Sequence, residues 1–375
     1  MHRADFGECR RLVVKIGTSS LAHETGKLNL GMMEMLVRQL ADLHNQGREV
    51  ILVTSGAIGA GAGKLGLRRA PRTIPEKQAC AAIGQGLLLH MYEKFFAEYG
   101  ITVGQVLLTR EDFAIRRRFL NAQNTLRSLL SFGVVPIINE NDTVAVDEIK
   151  LGDNDHLSAL VAGLMNADLL VMLTDTDGLY TADPRRNPEA RLIPWIGEIT
   201  EDIEKVAGAA GSRLGTGGMI TKLHAARIAT HAGVTTVIAR ASLKDVLPRI
   251  LAGEELGTVF RALPRRMERR KQWIAYGAPV AGRIVVDAGA ARALREKGKS
   301  LLPSGVVAVE GSFETGQTVS IVDSEGREVG RGLVNYSAAE IERIKGCRTT
   351  AVTDILGYQP YYEEVVHRNN LVIEP

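Results

Sequence analysis

The run RLVVKIGTSSL, residues 11–21, begins as a buried strand and then departs from that pattern. Leu12, Val13 and Val14 form an apolar, partly β-branched run of the kind found in strands covered on both faces. Lys15 follows at the core end. An ammonium there is costly to desolvate unless an anion meets it or its stem carries it out to water. Gly17, Thr18, Ser19 and Ser20 then form a short polar turn whose backbone N–H groups can also face an anion. The stretch is read as the first strand of an α/β protein, with a lysine near its carboxyl end.

Outward from this strand the same pattern repeats. Short apolar runs at 11–16, 49–55, 102–108, 134–139, 168–174 and 234–239 alternate with helix-period segments. Met32, Leu36, Leu40 and Leu43 recur at helical spacing before Gly47, and similar patterns cover 76–99, 116–131, 154–166 and 220–232. Connections of this length are what parallel neighbours need, so the expected fold is α/β, a mainly parallel sheet with helices on both faces. Composition changes at the basic run RRMERRK, residues 265–271. Beyond it RIVVD, GVVAVEG, QTVSIVD and EVGRGLV are short strand candidates, with helical pieces at AGAARALREKG and SAAEIERIKG. The expected organisation is an α/β domain at 1–263, a basic linker at 264–275, a small β-rich domain at 276–360 and a tail at 361–375.

Composition narrows the class without naming a chemistry. The chain has 375 residues, 45% hydrophobic and 24% charged, with a formal net charge of +3; it suits about two globular domains and excludes disordered or fibrous classes. Cys9, Cys80 and Cys347 lie far apart with no C-x-x-C pair, which argues against a disulfide framework or structural zinc and suits a reducing cytoplasm. No stretch approaches the roughly eighteen apolar residues of a membrane span.

In a parallel sheet, ligands gather where the strands end, and the segments after these strands carry the polar chemistry. TSGAIGAGAG, residues 54–63, places Ser55 among glycines, suited either to close ligand approach or to tight helix packing. NENDTV, residues 139–144, and LGDNDHLSAL, residues 151–160, supply Asn139, Asp142, Asp153, Asn154 and Asp155. One helix cap accounts for a single member, Asp153. The others can receive an ammonium, hydrogen-bond a carboxylate and hold charged side chains. TDTDGLYTADPR starts at Thr174 and Asp175, and GTGGMITKLHAA, residues 215–226, sets glycines ahead of a helix bearing Lys222. That segment is not a Walker A motif, yet it offers a helix N-terminus and a lysine to phosphate. Lys15 and Lys222 are expected to converge on a phosphoryl group, with an Asp to orient them.

In this order, VVKIGTSSL, VTSGAIGAG, NENDTV, LGDNDHLSALVA, MLTDTDGLYTADP and GTGGMITK resemble the amino-acid kinase family over residues 11 to about 260, and in particular its glutamate-phosphorylating members. The C-terminal segment resembles the PUA module. The resemblance implies an αβα-sandwich kinase that phosphorylates the γ-carboxylate of L-glutamate with ATP and Mg²⁺, the first step of proline biosynthesis. It implies Lys15, Lys222 and Asp155 as catalytic residues, and Ser55, Asp142, Asn154 and Asn139 at the substrate. It assigns Lys15, Thr174, Asp175, Thr216, Gly217, Gly218, Met219, Ile220, Thr221 and Lys222 to the nucleotide. It also implies a cytoplasmic homo-oligomer, dimer or tetramer, with feedback by proline; metal ligands are unassigned. Thr18, where serine is common, and Ile220 depart from the family pattern without changing a charge.

Two other readings remain at this level. One is a kinase of another acid, such as acetylglutamate, aspartate or carbamate. The other is an RNA-binding protein acting through the PUA-like module. Against the second, residues 280–330 mix Arg283, Arg292, Arg295, Lys297 and Lys299 with Asp287, Glu296, Glu310, Glu314, Asp323 and Glu325, and the basic run 265–271 has no aromatic platform.

Overall fold

The computed structural model describes residues 1–375 except 24, 26, 68, 145–153, 185, 210–217, 264–270, 272, 361 and 374–375, and the side chains of 110, 208 and 209. The expected cap Asp153, the loop residues Thr216 and Gly217 and most of the basic linker lie outside the described residues. The chain divides into two compact units, Met1–Arg266 and Met267–Pro375.

The first unit is built on strands β1 (Arg11–Ile16), β2 (Glu49–Val53), β3 (Val103–Leu108), β4 (Val135–Glu140), β5 (Leu169–Thr174), β6 (Trp195–Ile196), β7 (Thr235–Arg240) and β8 (Thr258–Phe260). They form one sheet in the order β3-β4-β2-β1-β5-β7-β8-β6. Pairs from β3 to β7 are parallel, while β8 runs antiparallel to β7 and carries β6 parallel to itself. All six anticipated strands are present. Beyond its first residue β1 is wholly buried, as are all of β4 and β5, which is why these strands are apolar without alternation.

Helices cover the sheet. Leu30–Asn45 is capped by the Asn29 side chain on the Met32 N–H at 3.1 Å, and it buries Met33, Leu36, Val37 and Leu40 in the core with Leu12, Val14, Leu52 and Tyr92. Ile74–Ala97 starts at a capping box formed by Thr73 and Glu76. It packs on Ala57–Lys64 at glycine contacts: a Cβ on Gly61 would lie 1.8 Å from the Cys80 carbonyl, and one on Gly84 1.8 Å from the Ala57 carbonyl.

The second unit has strands β9 (Val280–Val286), β10 (Val306–Gly311), β11 (Thr318–Val322), β12 (Glu328–Leu333) and β13 (Leu371–Ile373) in the order β10-β9-β11-β12-β13. Its separate core includes Ile284, Leu294, Val319, Ile321, Tyr336 and Ile341. Residues 371–373, read from sequence as tail, pair with Gly330–Gly332 as the last strand. A three-residue strand is too short to leave a periodic signal.

Substituting Gly61→Ala or Gly84→Ala should cost more than the roughly 1–3 kcal/mol usual for overpacking, because the obstacle is backbone. Gly59→Ala, in the same helix with nothing within 4 Å of the new methyl, should stabilise by about 0.5–1 kcal/mol through the lost freedom of glycine. Urea midpoints of the three variants check both signs.

Candidate active site

Strands β1, β2, β4, β5 and β7 are mutually parallel, so they deliver their last residues to one edge of the sheet. Lys15 stands in the central strand, opposite Val53 of β2 and Met172 of β5. It is 3% exposed, which rules out the reading in which its stem carries the charge to water. Its Nζ lies 2.5 Å from Oδ1 of the fully buried Asp155. The Nζ of Lys222, also buried, lies 3.0 Å from the other oxygen, Oδ2. Thr221 donates its hydroxyl to Oδ2 at 3.1 Å. One carboxylate thus spans two ammonium groups from opposite ends of the unit, and the three side chains sum to one positive charge.

Local structure explains each position. Asp155 is the second residue of the helix Asn154–Met165, where the positive end of the helix dipole favours a carboxylate. Lys222 lies in the first turn of the helix Met219–His231, which begins at Gly218 without a side-chain cap; its first N–H groups are of the kind that bind phosphate.

A second cluster adjoins the triad through Asn154. Its side-chain nitrogen donates to the Thr54 carbonyl at 2.7 Å, Ser55 Oγ at 2.8 Å and Asn139 Oδ1 at 2.9 Å, in a shared, three-centre arrangement. Turning this amide over would face oxygen against two carbonyl oxygens, so its orientation is determined. The Asn154 Oδ1 that results is shielded from solvent and has no hydrogen-bond donor among the described residues. Asn139 donates to Gln85 Oε1 at 2.7 Å, and Thr54 Oγ1 lies 2.8 Å from the Tyr92 hydroxyl. Burial pushes the Tyr92 phenol well above its ordinary range. Gly56, at φ +96°, turns the chain from β2 into the following helix, a left-handed conformation that favours glycine. The glycine-rich segment therefore serves two ends: Gly56 shapes the turn beside Ser55, and Gly61 admits the neighbouring helix. Asp142 is half-buried in the turn after β4.

A third cluster closes the edge at β5 and β7. The Thr174 hydroxyl donates to Asp175 Oδ1 at 3.0 Å, and the Ala241 N–H donates to the Thr174 carbonyl at 2.7 Å. Arg240, the register partner of Thr174, holds Asp177 by a fork, Nε to Oδ1 at 2.6 Å and Nη2 to Oδ2 at 3.0 Å. Tyr180 adds its hydroxyl at 2.9 Å. The Arg240 hydrogen bonds hold the Asp177 carboxyl below its usual range.

The structure thus brings together Lys15, Asp155 and Lys222, and separately Ser55, Asn139 and Asn154. Thr174 and Asp175 end β5, and Gly218–Thr221 lead into Lys222, with the Ile220 side chain exposed. Gln85, Thr54, Tyr92, Asp177, Tyr180 and Arg240 were not anticipated from sequence. Arg240 carried the same signal as Lys15, a charge closing an apolar strand. Gln85 and Tyr92, seven apart on one helix, carried the spacing of a shared face. Among the described residues no three His, Cys, Asp or Glu side chains form a metal-holding group, and no helix is long and apolar enough to cross a membrane.

A buried lysine pair bridged by aspartate, at the carboxyl edge of a parallel sheet and beside a helix N-terminus, is the apparatus of a phosphotransferase. The amino acid kinase family model matches residues 10–240, and the PUA domain model matches residues 282–356. The chain belongs to the amino acid kinase family and carries a PUA domain. It is 58% identical over 371 residues to the glutamate 5-kinase of Moorella thermoacetica, spanning 99% of this chain and 98% of that protein. It is also 58% identical over 363 residues to the glutamate 5-kinase of Caldanaerobacter subterraneus subsp. tengcongensis, spanning 97% of each. A UMP kinase structure from Bacillus anthracis superposes with a TM-score of 0.46 at 18% identity, covering 68% of this chain and 96% of that one.

The Asp177–Arg240 pair makes a pH prediction. Asp177 has a depressed folded-state pKa, so its stabilisation is present above the unfolded-state pKa and is lost as pH falls through the folded one. The wild type should exceed Arg240→Met by about 0.2–1 kcal/mol at neutral pH, a surface-pair magnitude suited to these partly exposed groups. The gap should close only below the ordinary aspartate range. Paired urea melts from neutral to acid pH check it.

Proposed function

We propose that this chain transfers the γ-phosphoryl group of ATP to the γ-carboxylate of L-glutamate, giving glutamyl 5-phosphate and ADP, the first step towards proline. The observation that carries the reading is the buried Lys15–Asp155–Lys222 triad next to the Asn154 amide network: a cationic place for a moving phosphoryl group beside a polar place for an amino acid. The names of the relatives agree with it.

A glutamate carboxylate oxygen attacks the γ-phosphorus, the new O–P bond forms as the bond to the β,γ-bridging oxygen breaks, and ADP leaves with that electron pair. The nucleophile is already anionic, so no general base and no covalent enzyme intermediate are required; positioning and charge neutralisation lower the barrier. Lys15 and Lys222 stabilise the transferring group, and Asp155 sets the two ammonium groups at fixed separation. The Asn154 Oδ1 acceptor and the Asp142 carboxylate receive the glutamate ammonium, with Ser55 and Asn139 fixing the Asn154 amide. Thr174, Asp175 and the segment 216–222 hold the nucleotide, and Arg240 positions the loop after Thr174 through Asp177. Mg²⁺, when bound, would supply charge neutralisation at the phosphates of ATP. The described donor set has no carboxylate cage, and both Asp155 oxygens face ammonium groups, which suits an ion carried by phosphate oxygens and water. A cytoplasmic homo-oligomer with proline feedback accompanies this reading on family resemblance.

ATP turnover with glutamate, aspartate and N-acetylglutamate as separate acceptors tests the substrate; preference for either alternative acid would overturn it. Lys222→Ala should lower kcat on the order of 10²–10³-fold with little change in the KM for glutamate, the behaviour of a donor that acts on the transition state. Lys15→Ala should do the same, and steady-state kinetics at saturating ATP separate the two constants. Asp142→Ala should instead raise the KM for glutamate on the order of tenfold or more, the loss of one charged hydrogen bond, and leave the KM for ATP unchanged.

A further inference from the structure

The second unit contains a cavity of about 360 Å³ lined by Lys271, Gly298, Lys299, Arg368, Asn369 and the strand residues Leu371–Ile373. Its three cations come from three separate segments. Lys299 follows the helix Ala288–Lys297, and its charge alone could be credited to the negative end of that helix. Lys271 and Arg368 have no such explanation. Among the described residues none of the three has an ion-pair partner, although other surface arginines of this unit do: Arg327 meets Asp323 and Arg331 meets Glu328.

The framework around the three is tied together. The Leu301 N–H donates to the Val366 carbonyl at 2.9 Å, the Val365 N–H to the Leu301 carbonyl at 2.8 Å, and the Arg368 N–H to Ser300 Oγ at 3.1 Å. These bonds fasten the segment bearing Lys299 to the one bearing Arg368. Ile274 and Ala275 pack on Val372, which brings the chain after Lys271 against β13. Leu371 and Val372 give the cavity a buried apolar floor.

We propose that this cavity binds the phosphate of a small phosphorylated molecule. Three converging cations match a group of charge near −2, and the guanidinium of Arg368 offers it a two-pronged contact. The volume lies at the low end for small-molecule sites. Among the described residues no aromatic side chain lines it, so the stacking platform expected for single-stranded nucleic acid is missing from that lining.

The test uses the full chain with glutamate and a non-hydrolysable ATP analogue at saturation, titrated calorimetrically with inorganic pyrophosphate. The expected result is one further site per chain, weakened on the order of tenfold for each of Lys299→Ala and Arg368→Ala, with melting temperature and kinase constants unchanged. Absence of that site, or affinity unchanged from the wild type in both variants, overturns the proposal. A ten-nucleotide oligouridylate is the second probe. If it displaces pyrophosphate at lower concentration and with a steep salt dependence, the phosphate is that of a nucleic-acid backbone and the small-molecule assignment fails.

Discussion

The carboxylate of Asp155 is the constraint on which the carboxyl edge of the sheet depends. It is fully buried and meets Lys15 on one oxygen and Lys222 on the other. Removing one partner from such a buried arrangement typically costs about 3–5 kcal/mol, because the remaining charge is left uncompensated. The ion pairs therefore couple three distant pieces of chain: the central strand, the helix after β4 and the helix before β7. The strand order makes this possible. Placing β1 between β2 and β5 brings Lys15 to the middle of the sheet, within reach of helices arriving from either side.

Consecutive residues divide the labour at the start of one helix. Asn154 turns to Thr54, Ser55 and Asn139, while Asp155 turns to the lysines. Successive helical positions differ by about 100° in direction, so two neighbours can serve two adjoining subsites while a single backbone segment fixes the distance between them. In the proposed reaction, an amino acid held by its ammonium at the first cluster is thereby kept beside a phosphoryl group held at the second. Geometry of this kind contributes to catalysis by removing translational freedom before the reaction begins.

Legibility in the sequence followed burial. The central strands were readable because both faces are covered and the residues are apolar throughout; β6, β8 and β13, with two or three residues each, are too short for any period to register. Lys15 and Lys222 were readable because each breaks its surroundings, one an apolar strand and the other a glycine-rich approach to a helix. Gln85 was not, because a polar residue on a helix is normally a solvent-facing one, and only the tertiary structure shows that it receives the Asn139 amide. Gly61 illustrates the opposite difficulty. Glycines that shape a ligand turn and glycines that let two helices touch have the same letter, and they are told apart by what a Cβ would strike.

The two units also place cations by different rules, and the contrast bears on how each can act. In the first unit Lys15 and Lys222 are buried and share a counter-ion. Their field is fixed in direction, weakly screened by salt and available to a developing transition-state charge without reorganisation. In the second, Lys299 and Arg368 are exposed and have no carboxylate partner among the described residues, so their attraction is open to screening and to exchange with mobile anions. The first arrangement suits chemistry on a bound group, and the second suits reversible capture of an anion whose concentration varies.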